Sequence, residues 1–322
     1  MTRPRSKIRP LWLGVTAIIA AIVILNNPTE PRVQEKRVSE WLDEIAYAGN
    51  APGVSVPRSD PAFKALASGG PGIAENLAKV WIAGHHDSAT TRMGDRWNAL
   101  LGRNRGTHSR ANRGWCAWEI LTEMGPTASN AAPVFLAALG GGSRTRRSEA
   151  MFALGRIRAL PERAVPAIME SLEDTDPKTV WVAARALGFF GQHARPALAR
   201  LETLRSDKSV RKDVQLAAIA AISRIDPDQT RTCMDELIAE LRKPPSERDT
   251  RTPFVLGDMG RAAHRAVPAL LEMIEQEVQD ELPPQTEMSV WLALQKIDPE
   301  AYEAEYERRG GDAIDREWNR ER

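Results

Sequence analysis

The sequence predicts an all-α fold, a solenoid of stacked helix–turn–helix units. Three observations predict it. Four segments follow one pattern: ILTEMGPTASNAAPVFLAAL from Ile120, ALGRIRALPERAVPAIMESL from Ala153, ALGFFGQHARPALARL from Ala186 and VLGDMGRAAHRAVPALLEMI from Val255. Two more, from Ala220 and Ala293, place Asp-Pro where the others turn. Taking the turn residue as the register gives Gly125, Arg158, Gly191, Asp226, Gly260 and Asp298, spaced by 33, 33, 35, 34 and 38 residues. After the turn, apolar residues recur at helical spacing, as at Val134, Leu136 and Leu139 or Leu270, Leu271 and Ile274.

The elements follow in order along the chain. Arg3, Arg5, Lys7 and Arg9 precede an apolar run, Leu11 to Leu25, which Asn26, Asn27 and Pro28 end. The run closes on Ile22-Val23-Ile24-Leu25, a poor cleavage site, so it reads as an uncleaved signal anchor with a cleaved signal as the alternative. Residues 1–10 form a basic cytoplasmic flank, 11–27 a transmembrane signal anchor and 28–37 a linker. That topology places the rest of the chain outside the cytoplasm, in the periplasm, as a single-pass membrane protein; secretion after cleavage is the alternative. Residues 38–110 hold a helix from Val38 to Ala46, a loop from Asn50 to Pro61, a degenerate repeat from Ala62 and an insertion from Ile82 to Arg110. Residues 111–309 are the regular array, and 310–322 a charged tail.

Within each unit the first helix ends in an Ala/Leu-rich stretch that a glycine can close in the left-handed conformation. At Asp226 and Asp298 an aspartate caps the second helix, and Pro227 and Pro299 take its first position, where no N–H is needed. Asp176-Pro177 starts a first helix in the same way. Elsewhere Pro133, Pro166, Pro196 and Pro268 introduce the second helix. One helix pair cannot cover its own apolar face, so the pairs must stack.

The units ALGFFGQHARPAL, LGDMGRAAHRAVPALL and EMGPTASNAAPVFL resemble HEAT repeats of the short bacterial type, the class also found in bilin-lyase-like proteins. With the degenerate unit from Ala62, the resemblance spans nearly all of the chain after residue 37. It implies a right-handed α-solenoid and a scaffolding role, as in membrane-anchored bacterial HEAT-repeat proteins.

Composition sets further bounds. With 42% hydrophobic and 27% charged residues and a net charge of +1, the chain is neither globally basic nor acidic. Its two cysteines, Cys116 and Cys233, form no CxxC pair and read as small buried hydrophobes. His85 and His86 followed by Asp87 lack a third ligand at useful spacing. No HExxH, GxSxG, GxxxxGK[ST] or GxGxxG occurs, so the sequence predicts no enzyme, no cofactor and no metal site.

Charge is uneven: ten arginines stand against four glutamates from Arg103 to Arg163, and seventeen acidic residues against eight basic ones from Asp228 to Glu305. The basic half is a candidate surface for an acidic partner, with Arg103, Arg105, Arg110, Arg144, Arg146 and Arg147 as its residues. Most of the nine tryptophans read as core, with Trp97 in the insertion as the exposed exception. The expectation is a membrane-tethered, non-catalytic scaffold binding a protein or peptide along its concave surface. A bilin-lyase-like enzyme or enzyme partner is the alternative, and nucleic-acid binding would require a cytoplasmic location.

Overall fold

Helix starts in this chain are built by short acceptors and prolines, and a computed structural model shows where they act. It describes residues 30–47, 60–84, 110–277 and 284–309. Contacts divide the chain into two compact units, one ending at Ile120 and the other beginning at Leu121.

In the first unit two short antiparallel strands, β1 (Arg32–Val33) and β2 (Lys36–Arg37), lead into α1 (Val38–Tyr47). Val38, Leu42 and Ile45 of α1 are buried, and the Trp41 indole N–H donates to the Val33 carbonyl at 2.9 Å. The degenerate repeat is a helix pair, α2 (Pro61–Ala67) and α3 (Gly70–Gly84). Asp60 caps α2, accepting from Ala62 N at 2.7 Å, with Pro61 at the first helical position. Then α4 (Arg110–Met124) begins the regular pattern; a Cβ on its Gly114 would lie 3.3 Å from Gly84 Cα, so these two backbones cross closely.

The second unit alternates first and second helices: α5 (Ala132–Leu139), α6 (Arg144–Ile157), α7 (Pro161–Met169), α8 (Pro177–Phe190), α9 (Leu198–Ser206), α10 (Lys212–Ile225), α11 (Thr230–Leu241), α12 (Thr252–Met259), α13 (Val267–Glu277), α14 (Pro284–Ile297) and α15 (Pro299–Arg308). Each first helix packs on the first helix of the next unit, as α6 on α8, α8 on α10 and α12 on α14, and second helices pack alongside, as α5 on α7. This is an all-α solenoid, as expected.

The register residues carry the turns. Gly191 and Gly260 end α8 and α12 at φ +56°, ψ −135° and φ +57°, ψ −142°, a region open only to glycine. Arg158 ends α6 at φ 57°, ψ 25°, the left-handed region that a non-glycine residue occupies at a cost. Asp226 accepts from Asp228 N and Asp298 from Ala301 N, as their capping role requires. Between turn glycine and second helix, however, the chain runs through a 3₁₀ segment, as at 191–197 and 260–266, so Pro196 lies in that segment and Pro268 at the start of α13.

Spanning a membrane takes about 20 apolar residues in one helix. The longest described helices, α3 and α4, have 15 residues each, and no helix among the described residues is long and apolar enough to cross a membrane. The expected single-pass membrane localisation is corrected accordingly, together with the periplasmic placement and the membrane partner derived from it. The apolar run from Leu11 to Leu25 lies outside the described residues.

Candidate partner-binding face

Aligning the units on the turn residue shows what the apolar pattern hides. The position two residues before each turn is occupied by Glu123, Arg156, Phe189, Arg224, Asp258 and Lys296. One helical turn earlier stand Phe152, Arg185, Ala220, Phe254 and Leu292. Residues four apart share a helix face, so these two columns lie side by side across α6, α8, α10, α12 and α14.

The structure brings these columns into one network. Arg156 Nε donates to the Thr122 carbonyl at 3.2 Å, and its guanidinium lies 5.4 Å from the Phe189 ring centre and 3.9 Å from Glu123. Arg224 lies over the same Phe189 ring at 4.4 Å and donates to the Asp258 carbonyl at 3.1 Å. Arg185 is enclosed by three aromatic rings, Trp181 at 4.2 Å, Phe254 at 4.6 Å and Phe152 at 4.7 Å. Its Nε donates to Asp258 Oδ2 at 2.8 Å, and its Nη2 donates to the same oxygen. Each buried cation–π contact of this kind is worth up to about 2 kcal/mol.

One geometric fact stands out. Arg185 is on α8 and Asp258 on α12, with α10 between them. The intervening helix presents Ala217, Ala220 and Ala221 beneath the bridge. The small side chains of this alanine floor leave room for the bridge to pass over α10.

At its α12–α14 end the face is apolar and open: Phe254, Met288 and Leu292 are 37%, 40% and 43% exposed. Trp181, stacked on Phe254 at 6.1 Å, holds a buried indole N–H with no hydrogen-bond partner. Burial and the neighbouring guanidiniums of Arg158, Arg156 and Arg185 depress the Arg224 pKa to about 10, against the opposing pull of Asp258.

Of the partner-binding residues expected from sequence, Arg144, Arg146 and Arg147 have described side chains. Trp97, Arg103 and Arg105 lie outside the described residues, and of Arg110 only the backbone, at the first position of α4, is described. Arg144, Arg146 and Arg147 occupy the first turn of α6, which Ser143 caps by accepting from Arg146 N at 3.2 Å. Cations there oppose the helix dipole. Arg144 leans toward Asp176, 3.6 Å away, and Arg146 packs over Gly142. This group sits at the end of α6 opposite Arg156, roughly 18 Å away by helical rise, and the structure does not join the two. His85, His86 and Asp87 also lie outside the described residues; among those described, no cluster of metal-ligating side chains occurs. Cys116 and Cys233 are buried, and burial pushes their thiols up to about 12 and about 11, out of the reactive range. A second depression of about 460 Å³ lies at the turn edge between Thr230, Met234 and Arg265, with Arg265 engaged by Asp235 at 2.7 Å.

A comparison with protein families bears on the repeats. A family described as HEAT repeats matches residues 132–223, from α5 to most of α10. No curated protein matches the sequence. Among solved structures, an engineered protein is 15% identical, with 80% of this chain and 96% of that chain covered and a TM-score of 0.30. The matched residues 132–223 carry HEAT repeats, and the periodic turns and stacked first helices continue the same all-α architecture beyond them.

Proposed function

We propose that the protein is a non-catalytic scaffold that binds a protein or peptide partner along the first-helix face of its second unit. One observation carries this reading: charged and aromatic side chains recur at one register position in successive units, on one face with an open apolar end. Structural surfaces need no such column. An interaction surface does, because a hydrophobic centre flanked by polar groups is how binding energy and specificity are combined. HEAT repeats commonly serve as scaffolds for protein interaction, which supports the reading. The bilin-lyase-like alternative rests on repeat similarity alone, and no observation favours it over the scaffold.

A photo-crosslinking residue at Phe254 or Leu292 tests the proposal in cells, with the exposed face of α9, at Glu202, as the control. The expected result is a discrete protein adduct from Phe254 and Leu292 and none from Glu202. Equal labelling from both faces would overturn it.

A further inference from the structure

Charge narrows the occupant of this face. In the two columns stand Arg156, Arg185, Arg224 and Lys296 against Glu123 and Asp258, and the adjoining turn column adds Arg158 against Asp226 and Asp298. Asp258 is already engaged by Arg185 through two hydrogen bonds, and Glu123 approaches Arg156 no closer than 3.9 Å. Arg156 and Arg224 flank one ring, that of Phe189, and Arg224 is largely withdrawn from solvent. Positive charge on a half-buried face is screened weakly by water and salt. An anion placed beside Phe189 would relieve the mutual repulsion of these guanidiniums. Arginine also offers planar, bidentate donor geometry suited to a carboxylate.

The anion's carrier follows from the rest of the face. Exposed Phe254, Met288 and Leu292 continue it on the α12–α14 side, so the ligand must present apolar side chains as well as charge. Nucleic acid fits less well: its phosphates need a continuous basic track, and here Asp258 and the apolar end interrupt one.

We propose that the occupant is an acidic segment of a protein partner. Its carboxylates bind Arg156 and Arg224 on either side of Phe189, and its aliphatic or aromatic side chains cover Phe254 and Leu292. This assignment rests on the scaffold reading above and deepens it.

The test is fluorescence anisotropy on the full chain, with a labelled synthetic peptide of repeated Glu-Glu-Leu-Phe blocks. Peptides with Gln or Lys in place of Glu, and a single-stranded DNA of equal length, are the comparison probes. The Glu peptide should bind about tenfold more tightly than the Gln peptide, and high salt should weaken it. Joint substitution Arg156→Gln and Arg224→Gln should erase the preference for Glu over Gln, while Arg156→Lys with Arg224→Lys should retain most of it. Circular dichroism melts establish that each variant is folded. Should the Gln variant not fold, the Lys variant and the peptide series still decide. Reversing charge at Arg144, Arg146 and Arg147 should leave binding unchanged; loss there would move the site to the other end of α6 and overturn the assignment. Equal binding of Glu and Gln peptides, or tighter binding of DNA, would overturn it too. If Phe254 crosslinks a protein yet the Glu peptide shows no preference, the acidic occupant fails and the binding face stands. If no crosslink forms while the Glu peptide binds as expected, the scaffold reading fails instead.

Discussion

At the scale of single residues, the turn position shows how one register site accepts different chemistry at different cost. Gly191 and Gly260 have ψ near −140° with positive φ, where a Cβ clashes with its own backbone. Arg158 has ψ 25° instead, which a side chain tolerates for about 1 kcal/mol or more. Gly191→Ala should therefore cost about 1–3 kcal/mol, whereas Arg158→Gly should gain about 1 kcal/mol; urea denaturation measures both. A second residue-scale prediction concerns Glu240, buried at the end of α11. Burial favours its neutral form, but hydrogen bonds from Lys243 at 2.7 Å and Lys212 at 3.1 Å outweigh that and lower its pKa. A carboxyl lowered by folding adds stability above the ordinary carboxylate range and loses it as pH falls through that range. Glu240→Gln should cost about 1.5–3 kcal/mol at neutral pH, with the difference from wild type shrinking on acidification in a pH series of urea melts.

Between elements, the decisive contacts are glycine against alanine. A Cβ on Gly155 would lie 2.7 Å from the Ala186 carbonyl oxygen, and one on Gly188 would lie 2.9 Å from Ala221 Cα. Gly257 repeats the arrangement against Ala293. The glycine three residues before the turn, at Gly155, Gly188 and Gly257, thus serves the approach of adjacent first helices, and the turn glycine, where there is one, serves the turn. Only the second role was legible in sequence, because a turn is local while a close approach involves a residue some thirty positions away. Gly188→Leu should push α8 from α10 and cost about 1–3 kcal/mol or more, read as a fall in melting temperature. α12 departs from its siblings: it has 8 residues where α6, α8, α10 and α14 have 14. The irregular stretch before it is braced by charge, with Arg251 and Arg211 on buried Asp213, and Arg248 donating to the Lys243 carbonyl at 2.7 Å. No periodic signal announces such bracing, since Asp213 belongs to α10, the first helix of the preceding unit.

For the molecule, the repeat period revealed the all-α solenoid architecture, while the candidate face was legible only in part. Alternation of Glu, Arg, Phe, Arg, Asp and Lys two residues before the turn is visible once units are aligned, yet nothing local says that Arg185 reaches past its neighbour to Asp258. Basic counts singled out Arg144, Arg146 and Arg147 as a separate candidate surface, because a run of arginines is conspicuous and a column of single residues is not. That skipped contact bears on cooperativity. A stack of repeats is ordinarily stabilised by nearest neighbours alone, so disturbance decays along it. The Arg185–Asp258 bridge couples α8 directly to α12, and both partners are largely buried. Removing one partner of a buried ion pair leaves the other uncompensated, at about 3–5 kcal/mol. Asp258→Ala should therefore speed amide exchange in α8 and α12 together. It should leave α15, which buries none of its residues, unchanged. Exchange that quickened in α12 and its immediate neighbours, with α8 unaffected, would mean that the bridge adds nothing to the nearest-neighbour stack.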